Sequence, residues 1–574
     1  MRTAETSGSG LLTDGQNLAT AIVTGSTDDP GRVVLSRAAA TGWDDIDLGR
    51  LRRDLSAFAA GLLARGVEPG DRIGVLGPTD YAWVVAAFAA WQVGAVLVPV
   101  YPTASVTQIR HIVAAAGVSA CFAGTPALAK TLHDAGTSLA ADRIWLLDDE
   151  RLIDDGQRVP PGAVADRGAS VGSHDLAAIV FTSGTTGLSK GTMLTHGNVF
   201  AAAAGVVEAC WPIFRLPDGA PASTLLFLPL SHVYGLVTLV GCLWARVRTG
   251  LVGDAAALIG SLGTFRPTFL VVVPYALEKM RKTVEAAGNP PPDQVRAMLG
   301  GRLADVICGG ASLEESTGRF FAGFGVTVLG AYGLTESAAA VSVNPPDAHR
   351  LGSAGRPIPG TEVTIADDGE ILVRGPQVSA GYWPPAGDGS GAAAAGGSGP
   401  AADFPRDDDG WLATGDLGRL DDGYLFITGR RKEILVTSGG KNVAPAPLED
   451  RIRLHPLVSN CIVLGEGRSY VTALITLDPR ALAAWSAARG GATSDATTPA
   501  DAVPPHQNPA VTAAVATAVD AANALVSRAE SIRRFQILPA DFSVADGHLT
   551  PTLKLRRAVI AEDFRTVIEA LYTA

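Results

Sequence analysis

The sequence AAIVFTSGTTGLSKG, residues 177–191, joins an apolar run to a loop of small and hydroxylated residues that ends at a lysine. The run Ala177 to Phe181 is typical of a buried strand. Small residues let the backbone N–H groups of a loop approach phosphate oxygens, hydroxyls add donors, and Lys190 adds a positive charge. The spacing differs from GxxxxGK[ST], so the stretch is not a Walker A loop. The composition alone would also fit a flexible turn.

Apolar runs alternate with longer helix-like stretches on both sides of this loop, from about Asp47 to residue 380. Further runs that read as strands are Leu225 to Leu228, Phe269 to Val273 and Val326 to Leu329. Such alternation predicts layered α/β subdomains with largely parallel sheets. The segment Ala82 to Val100 reads as helix, turn and strand rather than a membrane span, because Gln92 and Gly94 interrupt it.

The pattern changes after Pro357. Three short runs between Gly and Asp turns predict a small antiparallel β unit: Glu362 to Ile365, Glu370 to Val373 and Gly423 to Ile427. Two stretches of small and polar residues, Pro384 to Ala402 and Ala488 to Asn508, are interpreted as insertions.

The apolar pattern resumes after the second insertion. A helix is predicted from Ala510 to about Ala529, and a strand from Phe535 to Leu538.

Length and charge limit the class of protein. A chain of 574 residues exceeds what one core usually organises, so we expect one large and one small domain. Hydrophobic residues make up 47% and charged residues 18%, which is enough apolar material for large cores. The net charge of -11 leaves no basic excess to neutralise a duplex, so no nucleic-acid partner is expected.

Cysteine spacing and the N-terminus predict a cytoplasmic location. The five cysteines show no CxxC pairing, so neither a disulfide framework nor a zinc site is expected. The start, MRTAETSGSG, lacks a charged region followed by an apolar core, so no secretory signal is predicted.

Three further motifs carry groups suited to a nucleotide. AYGLTES at residues 331–337 offers an aromatic face for adenine, a hydroxyl for a phosphate and a carboxylate for Mg²⁺. TGDL at 414–417 and GRRKE at 429–433 offer a bidentate acceptor for a ribose diol and a guanidinium that can bridge ribose and phosphate. LTPTLKLRR at 549–557 carries a lysine that could neutralise two anions brought together. Taken singly, each could also be a solvated turn.

Together, and in this order, the motifs resemble those of the adenylate-forming (AMP-binding) superfamily, and the TPTLK variant resembles its long-chain fatty acyl-CoA synthetase group. Ser189 stands where the family usually has Pro, and Leu553 where many members have Gly. The resemblance covers roughly residues 30 to 574, apart from the two insertions. It implies a large N-terminal domain, 1–431, of layered α/β subdomains plus a small β unit, and a small mobile α+β C-terminal domain, 432–574.

The resemblance also implies the site residues. Catalytic roles fall to Lys190, Thr335, Glu336 and Lys554, with Glu336 holding Mg²⁺. ATP and AMP would be bound by Thr182, Ser183, Gly184, Thr185, Thr186, Gly187, Gly309, Gly310, Ala311, Tyr332, Gly333, Thr335, Asp416 and Arg430. Lys432 would be the hinge, Gly439 and Gly440 would face coenzyme A, and His232 and Tyr234 would line the acyl pocket.

The implied reaction activates a fatty acid with ATP to acyl-AMP, releases pyrophosphate, and transfers the acyl group to coenzyme A. Two alternatives stay open: a fatty acyl-AMP ligase that loads a carrier protein, and a non-catalytic acyl- or nucleotide-binding relative. The protein would act as a monomer or homodimer on small-molecule substrates. Peripheral contact with the inner face of the membrane is left open, since a fatty substrate would come from a bilayer.

Overall fold

The computed structural model describes residues 3–5, 11–24, 28–181, 189–217, 219–253, 255–288, 290–384, 404–488, 504–550 and 554–573. Two compact units are present. The first comprises Met1–Ala311, Glu315–Thr414 and Arg419–Phe426, and the second Ser312–Glu314, Gly415–Gly418 and Ile427–Ala574. The predicted loop residues Thr182 to Gly187, and most of both predicted insertions, lie outside the described residues.

The first unit contains a large sheet whose central strands are buried on both faces. Parallel pairing joins the strands from Leu176–Phe181 to the far edge, as expected where helices cover both faces. Gly191–Thr195 and Gly381–Tyr382 extend the sheet antiparallel. The strand order is Gly381–Tyr382, Gly191–Thr195, Leu176–Phe181, Val96–Val100, Arg72–Leu76, Ala120–Ala123 and Ile144–Leu146.

Two further sheets of this unit mix parallel and antiparallel pairs. One has parallel strands Phe269–Val272, Asp305–Cys308 and Thr327–Tyr332, followed antiparallel by Ser342–Val343 and Arg356–Pro357. The other has the order Ser223–Leu226, Arg248–Leu251, Val33–Ala38 and Trp43–Asp47, with only the last pair antiparallel.

The predicted β unit is a separate sheet with its own core. Its order is Thr3–Glu5, Glu362–Ile365, Glu370–Arg374, Leu412–Asp421 and Tyr424–Arg430. Alternate side chains point inward along these strands, and Val363, Ile371, Val373, Leu412 and Leu425 are fully buried together.

Helices of the first unit cover the sheets and begin at side-chain caps where the sequence provides them. Asp47, Asp80 and Ser105 accept backbone N–H groups of the first turns that follow them. The α-helices are Leu48–Ala64, Tyr81–Gln92, Val106–Ala116, Pro126–Asp134, Glu150–Gly156, Ala163–Ala169, His196–Ala209, Trp211–Phe214, Val233–Trp244, Ala255–Phe265, Pro274–Ala286, Pro292–Met298 and Glu315–Ala322. A π-turn at Thr20–Thr24 and 3₁₀ turns at Ala141–Arg143 and Thr335–Ser337 complete the set.

The second unit is an α+β arrangement. Its sheet has Val471–Leu477 in the centre, antiparallel to Val458–Leu464 and parallel to Ile532–Ile537. Leu435–Val436 and Asn442–Val443 form a small antiparallel pair. Leu448, Val463, Ile475 and Val515 are buried in the core on one side of the sheet. The helices are Pro445–Arg453, Pro479–Ala488, Pro509–Asn523, Arg557–Asp563 and Arg565–Thr573, with 3₁₀ turns at Arg431–Glu433 and Pro505–Gln507.

The fold class predicted from the sequence is confirmed, and Ala82 to Val100 is the predicted helix, turn and strand, formed by Tyr81–Gln92 and Val96–Val100. Across the described ranges, no helix has the length and apolar character needed to cross a membrane.

The predicted helix end near Ala529 is wrong. The helix stops at Asn523, whose side chain accepts from the Ile532 N–H at 2.8 Å and donates to the Ile532 carbonyl at 3.0 Å. This pairing holds the start of the next strand at Ile532, three residues before the predicted start. The predicted C-terminal limit of the second insertion, Asn508, is also too late. Asn508 caps the following helix by accepting from the Ala510 N–H at 2.9 Å.

Candidate active site

The carboxyl ends of two neighbouring parallel strands bring the YGLTE motif and the predicted nucleotide-binding residues Gly309 and Gly310 to one edge of a sheet. Gly309 and Gly310 directly follow Asp305–Cys308, and the YGLTE motif ends the neighbouring strand Thr327–Tyr332. A Cβ on Gly309 would lie 3.2 Å from the Ala331 carbonyl oxygen, so only glycine leaves this approach unhindered. Gly310 has a φ of 88°, which also favours glycine, and Ala311 follows at the surface. This edge is where open α/β sheets bind ligands.

The turn after Tyr332 is tightly folded. A Cβ on Gly333 would lie 2.1 Å from the Ala339 carbonyl oxygen, which requires glycine. Thr335–Ser337 forms a 3₁₀ turn, and Ala338 and Ala339 follow with φ of 47° and 69°. Left-handed backbone at two non-glycine residues is costly and is characteristic of functional sites. The turn therefore fixes the backbone positions from which the Thr335 and Glu336 side chains extend.

Tyr382 connects Glu336 to Lys190. Its hydroxyl donates to Glu336 Oε1 at 2.8 Å, and its ring centroid lies 5.1 Å from Lys190 Nζ. Burial and then the Glu336 charge raise the pKa of Tyr382, so the phenol stays a donor at neutral pH. The Ser379 N–H donates to the Glu336 carbonyl at 2.8 Å. One segment therefore holds both the backbone and the carboxylate of Glu336.

Lys190 stands at the edge of the described part of its loop and is exposed. The preceding Ser189 carbonyl contacts His111 Nε2 at 2.9 Å, and the following Gly191 carbonyl accepts from the Trp383 N–H at 2.7 Å. Anchors on both sides therefore fix the backbone that carries the ammonium group.

An apolar pocket lies next to Tyr332 in the first unit. The cavity has a volume of about 40 Å³. The lining residues are Ala203, Val206, Val207, Phe214, Tyr234, Val237, Thr238, Gly241, Val271, Ile307, Ala331, Tyr332, Ala339, Ala340 and Ser342.

Polar groups of the lining are largely satisfied by backbone carbonyls. Tyr234 donates to the Val272 carbonyl at 3.3 Å, Thr238 to the Tyr234 carbonyl at 2.7 Å, and Ser342 to the Ala354 carbonyl at 2.8 Å. Hydroxyls engaged in this way leave mainly hydrocarbon facing the space. The pocket therefore suits an aliphatic ligand better than a polar one.

The two residues predicted to line an acyl pocket have different positions. Tyr234 lines the pocket, and burial followed by the neighbouring Cys308 raises the pKa of its phenol. His232 caps the helix Val233–Trp244 by accepting from the Tyr234 N–H at 3.1 Å, and its ring lies 6.5 Å from that of Tyr101. His232 therefore orients a lining helix and is not itself among the lining residues.

Three predicted residues of the second unit lie within electrostatic range of one another. Asp416 is 6% exposed, and its Oδ1 accepts from Arg430 Nε at 2.7 Å. The pKa of Lys554 is lowered, first because surrounding protein atoms desolvate the ammonium group and then by the positive charge of Arg430. The negative charges of Glu433 and Asp416 counteract this shift. Solvent still reaches Lys554. The arrangement places two cations and a carboxylate where an anion could be bound.

The predicted hinge and the glycines that follow it lie at the surface of the second unit. Lys432 is exposed in the 3₁₀ turn Arg431–Glu433. Gly439 and Gly440 are exposed, and Gly440 has a φ of 76°.

Sequence reasoning missed Tyr382 and most of the pocket. Tyr382 contacts Glu336 across 46 residues of sequence, and no local pattern links them. Phe214, which lines the pocket, is the last residue of the helix Trp211–Phe214. A helix of four residues is too short to show a periodic apolar face in the sequence. The segment GYW at 381–383 could have served as a signal only with the pairing of Gly381 to Met193 already known.

Comparison with known proteins gives consistent matches over nearly the whole chain. A family model described as AMP-binding enzyme matches residues 26–383, and one described as AMP-binding enzyme C-terminal domain matches residues 432–574. The chain is 35% identical to the long-chain-fatty-acid–CoA ligase FadD15 of Mycobacterium bovis, covering 97% of each protein.

Two solved structures show the same fold. ATP-bound MatB from Rhodopseudomonas palustris has a TM-score of 0.72 at 24% identity, covering 97% of this chain and 100% of that one. A Mycobacterium tuberculosis fatty acyl CoA synthetase has a TM-score of 0.64 at 22% identity, covering 96% and 99%.

Proposed function

The chain belongs to the AMP-binding enzyme family, and we propose that it is an AMP-forming ligase that joins long-chain fatty acids to coenzyme A. The observation that carries this proposal is the apolar pocket beside the YGLTE turn. An aliphatic chain in that pocket would have its carboxylate near the residues suited to ATP. The relative that shares 35% of its residues over almost full length bears the name of this activity.

In the first half-reaction, a carboxylate oxygen of the fatty acid bonds to the α-phosphorus of ATP. The bond from that phosphorus to the bridging oxygen breaks, and pyrophosphate leaves with the electron pair. Lys190 and Lys554 stabilise negative charge on the phosphates and the carboxylate. Tyr332 faces the adenine, while Asp416 accepts from the ribose hydroxyls and Arg430 bridges to phosphate.

The residues near Tyr332 fit a magnesium ion. Glu336 would supply a carboxylate oxygen, the kind of ligand that Mg²⁺ prefers, and Tyr382 orients that carboxylate. Thr335 would donate its hydroxyl to the α-phosphate. Bound Mg²⁺ would neutralise phosphate charge. The phosphate loop of residues 182–187 would supply backbone and hydroxyl donors, as its composition predicts.

In the second half-reaction, the thiol sulfur of coenzyme A bonds to the acyl carbonyl carbon. The bond from that carbon to the AMP oxygen breaks, AMP leaves, and the thiol proton is released. We assign Gly439 and Gly440 to the face that meets the thiol arm, because glycines allow close approach. A C-terminal domain, 432–574, would rotate about Lys432 between the two steps. This rotation would withdraw Lys554 after the first step and present the face of Gly439 and Gly440 for the second.

Free coenzyme A is proposed as the acceptor rather than a carrier protein, because the relatives with high coverage are named CoA ligases. A reducing cytoplasmic location is proposed, with peripheral membrane contact for collecting the substrate. All five cysteines are unpaired and buried, which supports that compartment. The protein is proposed to work as a monomer or homodimer.

The decisive experiment incubates the purified protein with ATP, Mg²⁺ and coenzyme A across saturated acids of increasing chain length. Pyrophosphate release and acyl-CoA mass are both followed. We expect acyl-CoA and pyrophosphate in equal amounts, with long acids preferred. Acyl-AMP that accumulates without acyl-CoA would instead identify an acyl-AMP ligase, and a lack of pyrophosphate with every acid would identify a non-catalytic relative.

A further inference from the structure

Two turns of the second unit share one construction. In the first, the Thr550 N–H donates to the Lys554 carbonyl at 2.8 Å, and the Lys554 N–H donates back to Thr550 Oγ1 at 3.0 Å. In the second, the Thr437 N–H donates to the Lys441 carbonyl at 3.0 Å, and the Lys441 N–H donates to Thr437 Oγ1 at 3.2 Å. Each turn is thus closed by a threonine that pairs with a lysine four residues later.

Both threonines are buried while the groups that they support are exposed. Thr550 and Thr437 are 4% and 6% exposed. Lys554, Gly439 and Gly440 are exposed. A buried hydroxyl that accepts a backbone N–H fixes the base of each turn, and the functional group projects from it.

Contacts of the flanking residues hold the ends of the Lys554 turn in place. Leu549 and Leu555 form an antiparallel bridge across its base. Arg557 pairs with Glu449 at 2.5 Å and donates to the Val463 carbonyl at 3.2 Å. Glu449 also accepts from the Val463 N–H at 2.6 Å. Through Arg557, the chain just after Lys554 is therefore bonded to the strand Val458–Leu464.

The glycine turn is braced in a comparable way. The Ser438 N–H donates to the Arg468 carbonyl and the Gly467 N–H to the Val436 carbonyl, both at 2.8 Å. The Val436 N–H donates to Glu466 Oε2, also at 2.8 Å. The backbone on one side of the turn is held, and Gly439 and Gly440 remain at its tip.

We infer that Thr550 and Thr437 are positioning residues, each for a different half-reaction. Thr550 orients Lys554 for adenylation, and Thr437 orients the turn of Gly439 and Gly440 for thioester formation. The inference rests on the proposed function, which assigns those two groups to separate steps. Removing either hydroxyl leaves a backbone N–H without its acceptor and loosens one turn only.

The test replaces each threonine by valine, which keeps the shape and removes the hydroxyl. Adenylation is measured as pyrophosphate release from ATP and fatty acid. Thioester formation is measured from synthetic acyl-AMP and coenzyme A. For Thr550→Val we expect adenylation to fall by about tenfold or more, with thioester formation within about twofold of the parent, and for Thr437→Val the reverse.

Each valine variant is the matched control for the other, since both lose the same hydroxyl from the same kind of turn. Thr550→Ser and Thr437→Ser keep the acceptor and should restore the affected step to within about threefold of the parent. If a valine variant does not fold, the alanine variant at the same position takes its place. Equal loss of both steps, loss of neither, or failure of serine to rescue would each overturn the inference.

Lys554→Ala separates this inference from the proposed function. If Lys554→Ala loses adenylation while Thr550→Val keeps it, the positioning role fails and the role of Lys554 stands. If Lys554→Ala adenylates normally, the role of Lys554 itself fails, and the positioning role of Thr550 fails with it.

Discussion

Tyr382 joins Lys190 and Glu336, since its hydroxyl donates to the carboxylate and its ring lies 5.1 Å from the ammonium nitrogen. Tyr382→Phe removes the donor and keeps the ring. A hydrogen bond to a charged group contributes roughly 1.5 to 3 kcal/mol, so we expect pyrophosphate release to slow by about tenfold or more. A calorimetric titration of Mg²⁺·ATP onto the variant would show whether nucleotide binding changes with it.

Tyr81 offers a matched control for that variant. Its hydroxyl donates to Asp54 at 2.7 Å and Arg50 lies over its ring, so the chemistry is the same, but it belongs to no candidate motif. Tyr81→Phe should leave pyrophosphate release unchanged. Equal slowing in both variants would mean that the effect at Tyr382 is general destabilisation.

Asp416 gives a second prediction for a single residue. Asp416→Ala removes the proposed acceptor for both ribose hydroxyls and leaves Arg430 without its 2.7 Å partner. An unpaired polar group costs on the order of 1 to 3 kcal/mol, which corresponds to roughly a tenfold or greater rise in the KM for ATP. The KM for the fatty acid should change little. An unchanged KM for ATP in a folded variant would exclude Asp416 from the nucleotide site.

The motif residues could be predicted from the sequence, because residue type and order along the chain are enough to indicate their chemistry. Asp416 and Arg430 are 14 residues apart, and their pairing follows from a tight connection between adjacent strands. Tyr382 and Phe214 could not be found this way, because their roles depend on contacts between distant strands and helices. Such contacts are set by tertiary packing, which a local pattern does not contain.

At the scale of elements, the pocket depends on how closely two helices pack. A Cβ on Gly241 in the helix Val233–Trp244 would lie 3.3 Å from Val207 Cγ2 and 3.5 Å from the Ala203 carbonyl oxygen in the helix His196–Ala209. Gly241→Leu should therefore fill part of the pocket. Loss of room for two methylenes costs about 1.6 kcal/mol, or roughly fifteenfold in relative kcat/KM for long over shorter acids.

Gly241→Ala adds only one methyl and serves as the graded control, with a smaller shift in chain-length preference expected. The KM for ATP should stay constant in both variants. A parallel loss of activity toward every acid would indicate misfolding or a pocket that does not hold the acyl chain.

His196 makes stability depend on pH. It begins the helix His196–Ala209, is fully buried, and burial lowers its pKa from 6.5 to about 3. The folded state therefore keeps it neutral while the unfolded chain takes up a proton below pH 6.5, so stability falls as pH decreases toward 3. Between pH 7 and pH 5 the loss is about 2 kcal/mol. The measurement is the thermal midpoint across this range.

His196→Gln should flatten that dependence relative to the parent, whatever its stability at pH 7. His174→Gln is the control, because the His174 side chain is 88% exposed and should contribute little. If the parent and His196→Gln lose stability in parallel as pH falls, another buried group is responsible.

Elements whose limits are set locally were predicted well. Glu362 to Ile365 was predicted to the residue because Gly and Asp turns flank it. The helix ending at Asn523 was extended by six residues because its apolar pattern continues, whereas the end is fixed by side-chain bonds to Ile532. Nothing in the periodicity of the helix reports that tertiary contact.

At the scale of the whole molecule, the proposed reaction assigns Lys190 and Glu336 of the first unit, and Lys554 of the second, to one step. The second step makes no use of Lys554, because the thiol attacks an adenylate that already exists. A reaction divided in this way predicts that one side chain of the second unit can be essential for one half-reaction and dispensable for the other.

Lys554→Ala is the variant that tests this division. Loss of a positive charge between two anions should raise the adenylation barrier by several kcal/mol, or roughly two to three powers of ten in rate. With synthetic acyl-AMP and coenzyme A, the same variant should form acyl-CoA at a rate close to that of the parent. Lys441→Ala is a suitable comparison, since Lys441 follows a turn of the same construction and pairs with Glu530 at 3.4 Å. It should leave adenylation intact. If Lys554→Ala loses both half-reactions equally while folded, the two-conformation scheme does not apply to this enzyme.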